Sequence, residues 1–192
     1  MVPLAEYIRV ELDKVPKGSR LEKYLTELPQ VIKGNKNIIL AFFEDAFVEC
    51  LEFVKHNTKI SYLPSIRLNL VKSAEFKRQA RLADKRAISR EIPKNPANVI
   101  AFVVGNASQQ NLFIDLEGFV DLLNFGYLTF ALNLVQTYFH KILHIAYRMQ
   151  RSEQEIYGLG CSMTEAFLGI ELPEELKNLK ETSYYSKKDN QN

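Results

Sequence analysis

His140 and His144 are the two residues of this chain whose type and spacing point most directly to chemistry. They lie four apart in a run, 127–148, that reads as a helix, so both imidazoles fall on one helical face, one turn above the other. This is the spacing with which a single helix offers two nitrogen ligands to a zinc ion. Zinc held in this way keeps two further coordination positions, and a carboxylate with a water in them makes a catalytic type of site. The carboxylate is expected from the acidic helix start that follows, Ser152-Glu-Gln-Glu-Ile-Tyr-Gly158. Glu155 is the preferred third ligand, with Glu153 close by on a different helical face and Glu165 further along the same helix. The competing reading is that each imidazole only hydrogen-bonds a carbonyl or carboxylate and has a structural role.

The elements that must position these residues form an α+β chain, mostly helical, with a small subsidiary sheet and a two-helix core for the metal site near the C-terminus. Residues 2–14 suit an amphipathic helix. Ser19 with Glu22 three residues on has the capping-box pattern and opens a second helix, which Pro29 and Gly34 close. Over 37–55, Ile39, Phe42, Phe43, Ala46, Phe47, Cys50, Leu51 and Val54 make one apolar stripe, the mark of a core-facing helix. His56 lies just past its end, where the helix dipole favours it. The alternation of Ile66, Leu68 and Leu70 with polar residues predicts a strand in 59–71, interrupted by Pro64.

Residues 73–90 return to helical period and carry Lys77, Arg78, Arg81, Lys85, Arg86 and Arg90. After a turn-rich linker, 99–104 and 112–116 read as two short strands around Gly105-Asn-Ala-Ser108, a hairpin or neighbouring strands. A helix over 116–123, the histidine helix and a last long helix over 152–168 follow. Gly158 and Gly160 weaken that last helix locally by about 1 kcal/mol each, a cost best explained by close approach of a neighbouring backbone. The expected organisation is an N-terminal helical part (1–58) and a core (59–182) in one compact unit, with a disordered polar tail (183–192).

With 192 residues, 46% hydrophobic and 25% charged, the chain has the composition of a soluble globular domain. A net charge of +2 is too small to name a partner. Two cysteines, Cys50 and Cys161, cannot build a disulfide framework and are expected as buried thiols of a cytoplasmic protein. The uncharged run 122–140 approaches the length of a membrane span, yet Asn124, Asn133 and Gln136 within it favour a buried core helix and no membrane.

His140-Lys-Ile-Leu-His144-Ile, then Ser-Glu-Gln-Glu-Ile and a helix ending Glu-Ala-Phe-Leu-Gly, resembles the core of the small zincin-like metallopeptidases. Among these it is most similar to the gluzincin group, which carries His-Glu-x-x-His on one helix and a glutamate ligand on the next. The resemblance covers about the last third of the chain and reaches back to 112–116, where such folds place an edge strand beside the substrate cleft. It implies zinc held by His140, His144 and Glu155, with a peptide or protein partner. Lys141 departs from the pattern. It occupies the position of the general base, and an ammonium cannot accept the proton of a metal-bound water. The resemblance therefore implies a degenerate metallopeptidase homologue, a pseudoenzyme that binds zinc or serves as an interaction module.

Two alternatives accompany this reading. The basic segment 72–90, through Arg78, Arg81 and Arg86, would make a nucleic-acid-associated or regulatory helical protein; interleaved Glu75, Asp84 and Glu91 favour a solvated helix face instead. An active zinc metallohydrolase would need its base relocated to Glu153, Glu117 or Tyr157. The amphipathic N-terminal helices supply either a cover for the cleft or a dimer surface.

Overall fold

The computed structural model describes residues 12, 14–60, 62–85, 100–147 and 150–177. The helix expected over 2–14 and the tail 183–192 lie outside the described residues, as does Arg86; Leu12 and Lys14, which are described, belong to neither helix nor strand.

Helix α1 (Arg20–Lys33) starts at Ser19, whose Oγ accepts from the Glu22 N–H, while the Glu22 carboxylate accepts from the N–H of Gly18. The expected stop at Pro29 does not occur. The helix runs through it to Lys33 and ends at Gly34, and Leu28, Val31 and Ile32 packed on the core hold the turns on both sides of the proline. Burial of those three side chains offsets the hydrogen bond that proline cannot make. Helix α2 (Lys36–Asn57) is capped by Asn35 and buries Phe42, Phe43, Ala46, Phe47, Cys50 and Val54, the stripe expected from sequence. His56 is exposed at its C-terminal end, with Nδ1 2.7 Å from the Glu52 carbonyl.

Strand β1 (Ser65–Val71) begins directly after Pro64. Helix α3 (Ser73–Lys85) follows, then β2 (Ala101–Gly105) and β3 (Gln109–Asp115), which form the expected hairpin. The sheet order is β1-β3-β2, with β3 parallel to β1 and antiparallel to β2. The resemblance placed an edge strand at 112–116, and this is corrected: β3 is the central strand of the sheet, flanked by one partner on each side. Alternation sends Leu68, Leu112 and Val103 to one face and Asn69, Phe113 and Phe102 to the other. The first face joins the main core. On the second, Phe102 stacks on Phe113 and meets Phe76 of α3 edge-on, with ring centres 5.1 and 4.9 Å apart. The sheet is thus a middle layer between α3 and the remaining helices.

A short helix α4 (Leu116–Asp121), capped by Asp115, continues through a single 3-10 turn, Leu122–Phe125, to Gly126, whose φ of 101° suits a residue without Cβ. There the chain reverses into α5 (Tyr127–Tyr147). This helix is buried nearly all round, from Thr129 to Ile145, and packs against α2, α6 and β2. Among the described residues no helix is long and apolar enough to cross a membrane. Helix α6 (Glu153–Leu168) returns antiparallel along α5, and a last turn α7 (Glu174–Lys177) closes the described chain. Described residues of α1, α2, the sheet, α5 and α6 share one hydrophobic core. Cys50 and Cys161 are free and buried, as expected.

A candidate metal site between helices five and six

The histidine helix is apolar on most of its circumference because it is surrounded, and the face toward α6 is the exception. Along that face Gln136, His140 and His144 follow one another at the i, i+4 spacing, and α6 answers with Thr164, Cys161, Tyr157 and Glu153 in reverse order. Two helices in contact have thereby enclosed a polar seam. His144 is 7% exposed, His140 20% and Glu153 32%, so the Glu153 end of the seam meets solvent.

At that end three donor atoms converge. The Nε2 atoms of His140 and His144 are 2.8 Å apart, with the two rings tilted against each other at 4.6 Å. Glu153 closes the triangle, with Oε1 2.7 Å from His140 Nε2 and Oε2 2.8 Å from His144 Nε2. Tyr157 of α6 meets the His140 ring edge-on at 6.2 Å. Each Nε2 carries at most one hydrogen and an ionised carboxylate carries none. Three close contacts therefore share at most two hydrogens, and in every tautomer one contact sets lone pair against lone pair or N–H against N–H. A cation ligated by all three groups removes that conflict.

The residues fit a zinc ion in kind and nearly in distance. Two imidazoles and one carboxylate are the protein ligands of a catalytic-type zinc site, and their ligand atoms lie within 4.8 Å of one another. Ligand atoms about 2.1 Å from a tetrahedral zinc stand about 3.4 Å from each other, so the triangle would open by roughly 0.6–0.7 Å. Burial pushes the His140 imidazolium down to about 4, the Lys141 charge and His144 adding to the effect and the bond to Glu153 opposing it. His140 is therefore neutral at pH 7, the form that ligates a metal. Burial alone would raise the Glu153 carboxyl, yet its contacts with the two imidazoles hold it well below the usual range, so it is ionised.

Of the residues singled out in the sequence, the structure brings His140 and His144 together and pairs them with Glu153, not Glu155. Glu155 is exposed, and its Oε2 accepts from the backbone N–H and the hydroxyl of Ser152, both at 2.8 Å, in the capping box that starts α6. Glu165 lies at the other end of α6, where it accepts from Leu172 N–H and pairs with Lys177. Lys141 is half-buried next to His140 and makes no hydrogen bond or ion pair among the described residues. Of the proposed substitute bases, Glu117 accepts from the Ser73 N–H at the start of α3, and the Tyr157 hydroxyl is bonded to Cys161. Arg78 is clamped by Glu75 through two bonds of 2.6 and 2.7 Å, and Arg81 is exposed on the same helix.

Sequence reasoning missed the pairing of the seam. The signal was available: Ser152 and Glu155 have the spacing of a capping box, which commits Glu155 to the helix start. In an antiparallel pair, a residue facing His144 must also precede by about one turn the residue facing His140, which selects Glu153 before Tyr157. Comparison with known proteins found no matching family model, no similar curated protein and no similar solved structure.

Proposed function

We propose that the chain is a zinc-binding domain of zincin-like type that does not work as an ordinary peptidase. The observation that carries the proposal is the triangle of His140 Nε2, His144 Nε2 and the Glu153 carboxylate, with three contacts and at most two hydrogens to satisfy them. The order of strand, histidine helix and glutamate helix, β3 to α5 to α6, supports the resemblance. The two imidazoles and Glu153 would hold the metal, which would supply a Lewis acid. His140 and His144 are fixed by the buried helix beneath them, and Glu153 is fixed by the capped first turn of α6.

Peptide hydrolysis needs in addition a base within reach of the metal's fourth position. Position 141 holds a lysine. Glu153 is spent on the histidines, and Glu117 and Tyr157 are bonded elsewhere. Among the described residues no carboxylate is free to take that proton, which supports a binding role for the site, toward a peptide or protein partner or a smaller ligand.

The test is metal content of the untagged protein by elemental analysis, before and after dialysis against zinc, with a His140→Ala control. One zinc per chain that is lost in the control is expected. A chain that takes up no zinc when it is offered would make the triangle a structural proton-sharing cluster and end the proposal.

A further inference from the structure

We infer that the metal-loaded site takes a carboxylate anion as its ligand, bound between the metal's free position and the ammonium group of Lys141. The inference rests on the zinc reading above and adds the chemical class of the ligand.

Lys141 follows His140 directly and lies three residues before His144, so on α5 it flanks the imidazole face on one side. The residue is half-buried beside His140. Among the described residues no carboxylate stands within ion-pair distance of Lys141, so its charge is open to an anion that reaches the site. The nearest acid in the seam, Glu153, uses Oε1 on His140 and Oε2 on His144. Counting charges, a divalent metal with one carboxylate ligand leaves +1, and Lys141 raises the site to +2. With glutamate at 141 the same site would be neutral. A site of net +2, open at the Glu153 end, favours an anion over a neutral carbonyl, because both the metal and the ammonium gain an opposite charge. Lysine contributes as a point charge, which suits one oxygen of a carboxylate whose other oxygen is on the metal.

The experiment uses the full chain loaded with cobalt(II), whose visible spectrum reports changes in coordination, with cobalt content measured first. Acetate is titrated at fixed ionic strength held with perchlorate, and acetamide serves as the neutral control. A saturable spectral change with acetate alone is expected, with affinity at least tenfold weaker in Lys141→Met and restored to within about threefold in Lys141→Arg. A tripeptide with a free C-terminus that binds more tightly than both acetate and its own amide assigns the carboxylate to a peptide end. Equal affinity for acetate and the free tripeptide assigns it to a small acid. Unchanged acetate affinity in Lys141→Met, or a fully loaded protein indifferent to every carboxylate, overturns the inference and leaves the metal site standing. Failure to take up cobalt or zinc overturns both.

Discussion

The seam between α5 and α6 holds two polar clusters, and they are satisfied by different means. At the inner end, the Thr164 hydroxyl donates to the Gln136 carbonyl oxygen at 2.6 Å and the Gln136 amide donates to Cys161 Sγ at 3.6 Å. The Thr164 hydroxyl also stands 2.8 Å from the Gly160 carbonyl, and its one hydrogen, shared between the two oxygens, leaves no contact of this cluster without a donor. Gln136 and Thr164 are almost wholly buried, and nothing further is required of that cluster. At the outer end the histidines and Glu153 present three contacts for at most two hydrogens, in a place that solvent reaches. Both clusters come from the same i, i+4 spacing on α5 and the same partner helix, so helical geometry alone does not separate structure from function here. Proton accounting distinguishes the two clusters: the inner contacts have donor hydrogens, the outer ones are one short, and that shortage is what the metal proposal rests on.

The comparison breaks or holds first on metal-dependent stability. A metal that binds only the folded chain adds about 4 kcal/mol when present at a thousandfold excess over its dissociation constant. Wild type should therefore melt several degrees higher with zinc than with chelator, and His140→Ala should show no such difference. Thr164→Val, at the inner cluster, should keep the full zinc effect. Calorimetric melts of the three proteins, with and without zinc, decide it. A zinc effect of equal size in His140→Ala would place the metal elsewhere.

The next effect distinguishes two acids two residues apart. Glu153→Gln removes the charged ligand and should weaken zinc by more than about 100-fold, beyond what the loss of a merely supporting group costs. Glu155→Gln should leave zinc affinity where it was and lower the melting temperature slightly, since its carboxylate serves the Ser152 cap. Competition titration against a chelating dye reads both. The reverse ranking would show that the start of α6 turns over when metal arrives.

How much of this could be read in advance follows from how local each signal was. The histidine face, the α2 stripe, the β2–β3 hairpin and the burial of α5 rest on periodicity within single elements, and the structure has them. What was misjudged depended on partners. Pro29 reads as a stop, but α1 passes through it because Leu28, Val31 and Ile32 are held by the core. The central place of β3 is set by β1, which returns to it in parallel across α3, and no pattern within 109–115 announces that. The choice between Glu155 and Glu153 depends on the register of two helices, at which only the capping box at Ser152 hints.

At the inner cluster, Thr164→Val deletes the hydroxyl that satisfies Gln136 Oε1 and leaves a buried acceptor without a donor. A loss of about 1–2 kcal/mol is expected in urea unfolding of the metal-free protein. If the loss vanished on chelation and appeared only with zinc, the two clusters would be coupled and not independent.

The smallest effect concerns the two glycines of α6. Both sit inside a helix, where alanine is favoured by about 1 kcal/mol. A Cβ on Gly158 would meet nothing within 4 Å, so Gly158→Ala should stabilise the protein by about 0.5–1 kcal/mol. A Cβ on Gly160 would stand 3.2 Å from Gln136 Nε2, and the amide would have to withdraw from Cys161 or Thr164 to admit it. Gly160→Ala should then lose in hydrogen bonding about what it gains in helix propensity, or more. The sequence suggested close packing at both glycines, and only Gly160 has it, against a side chain rather than a backbone. A gap of at least about 1 kcal/mol between the two variants is the expected reading, with zinc affinity equal in both. Equal stabilisation by the two alanines would mean that Gln136 has room to spare, and the inner cluster would lose its claim to be the tightly fitted one of the pair.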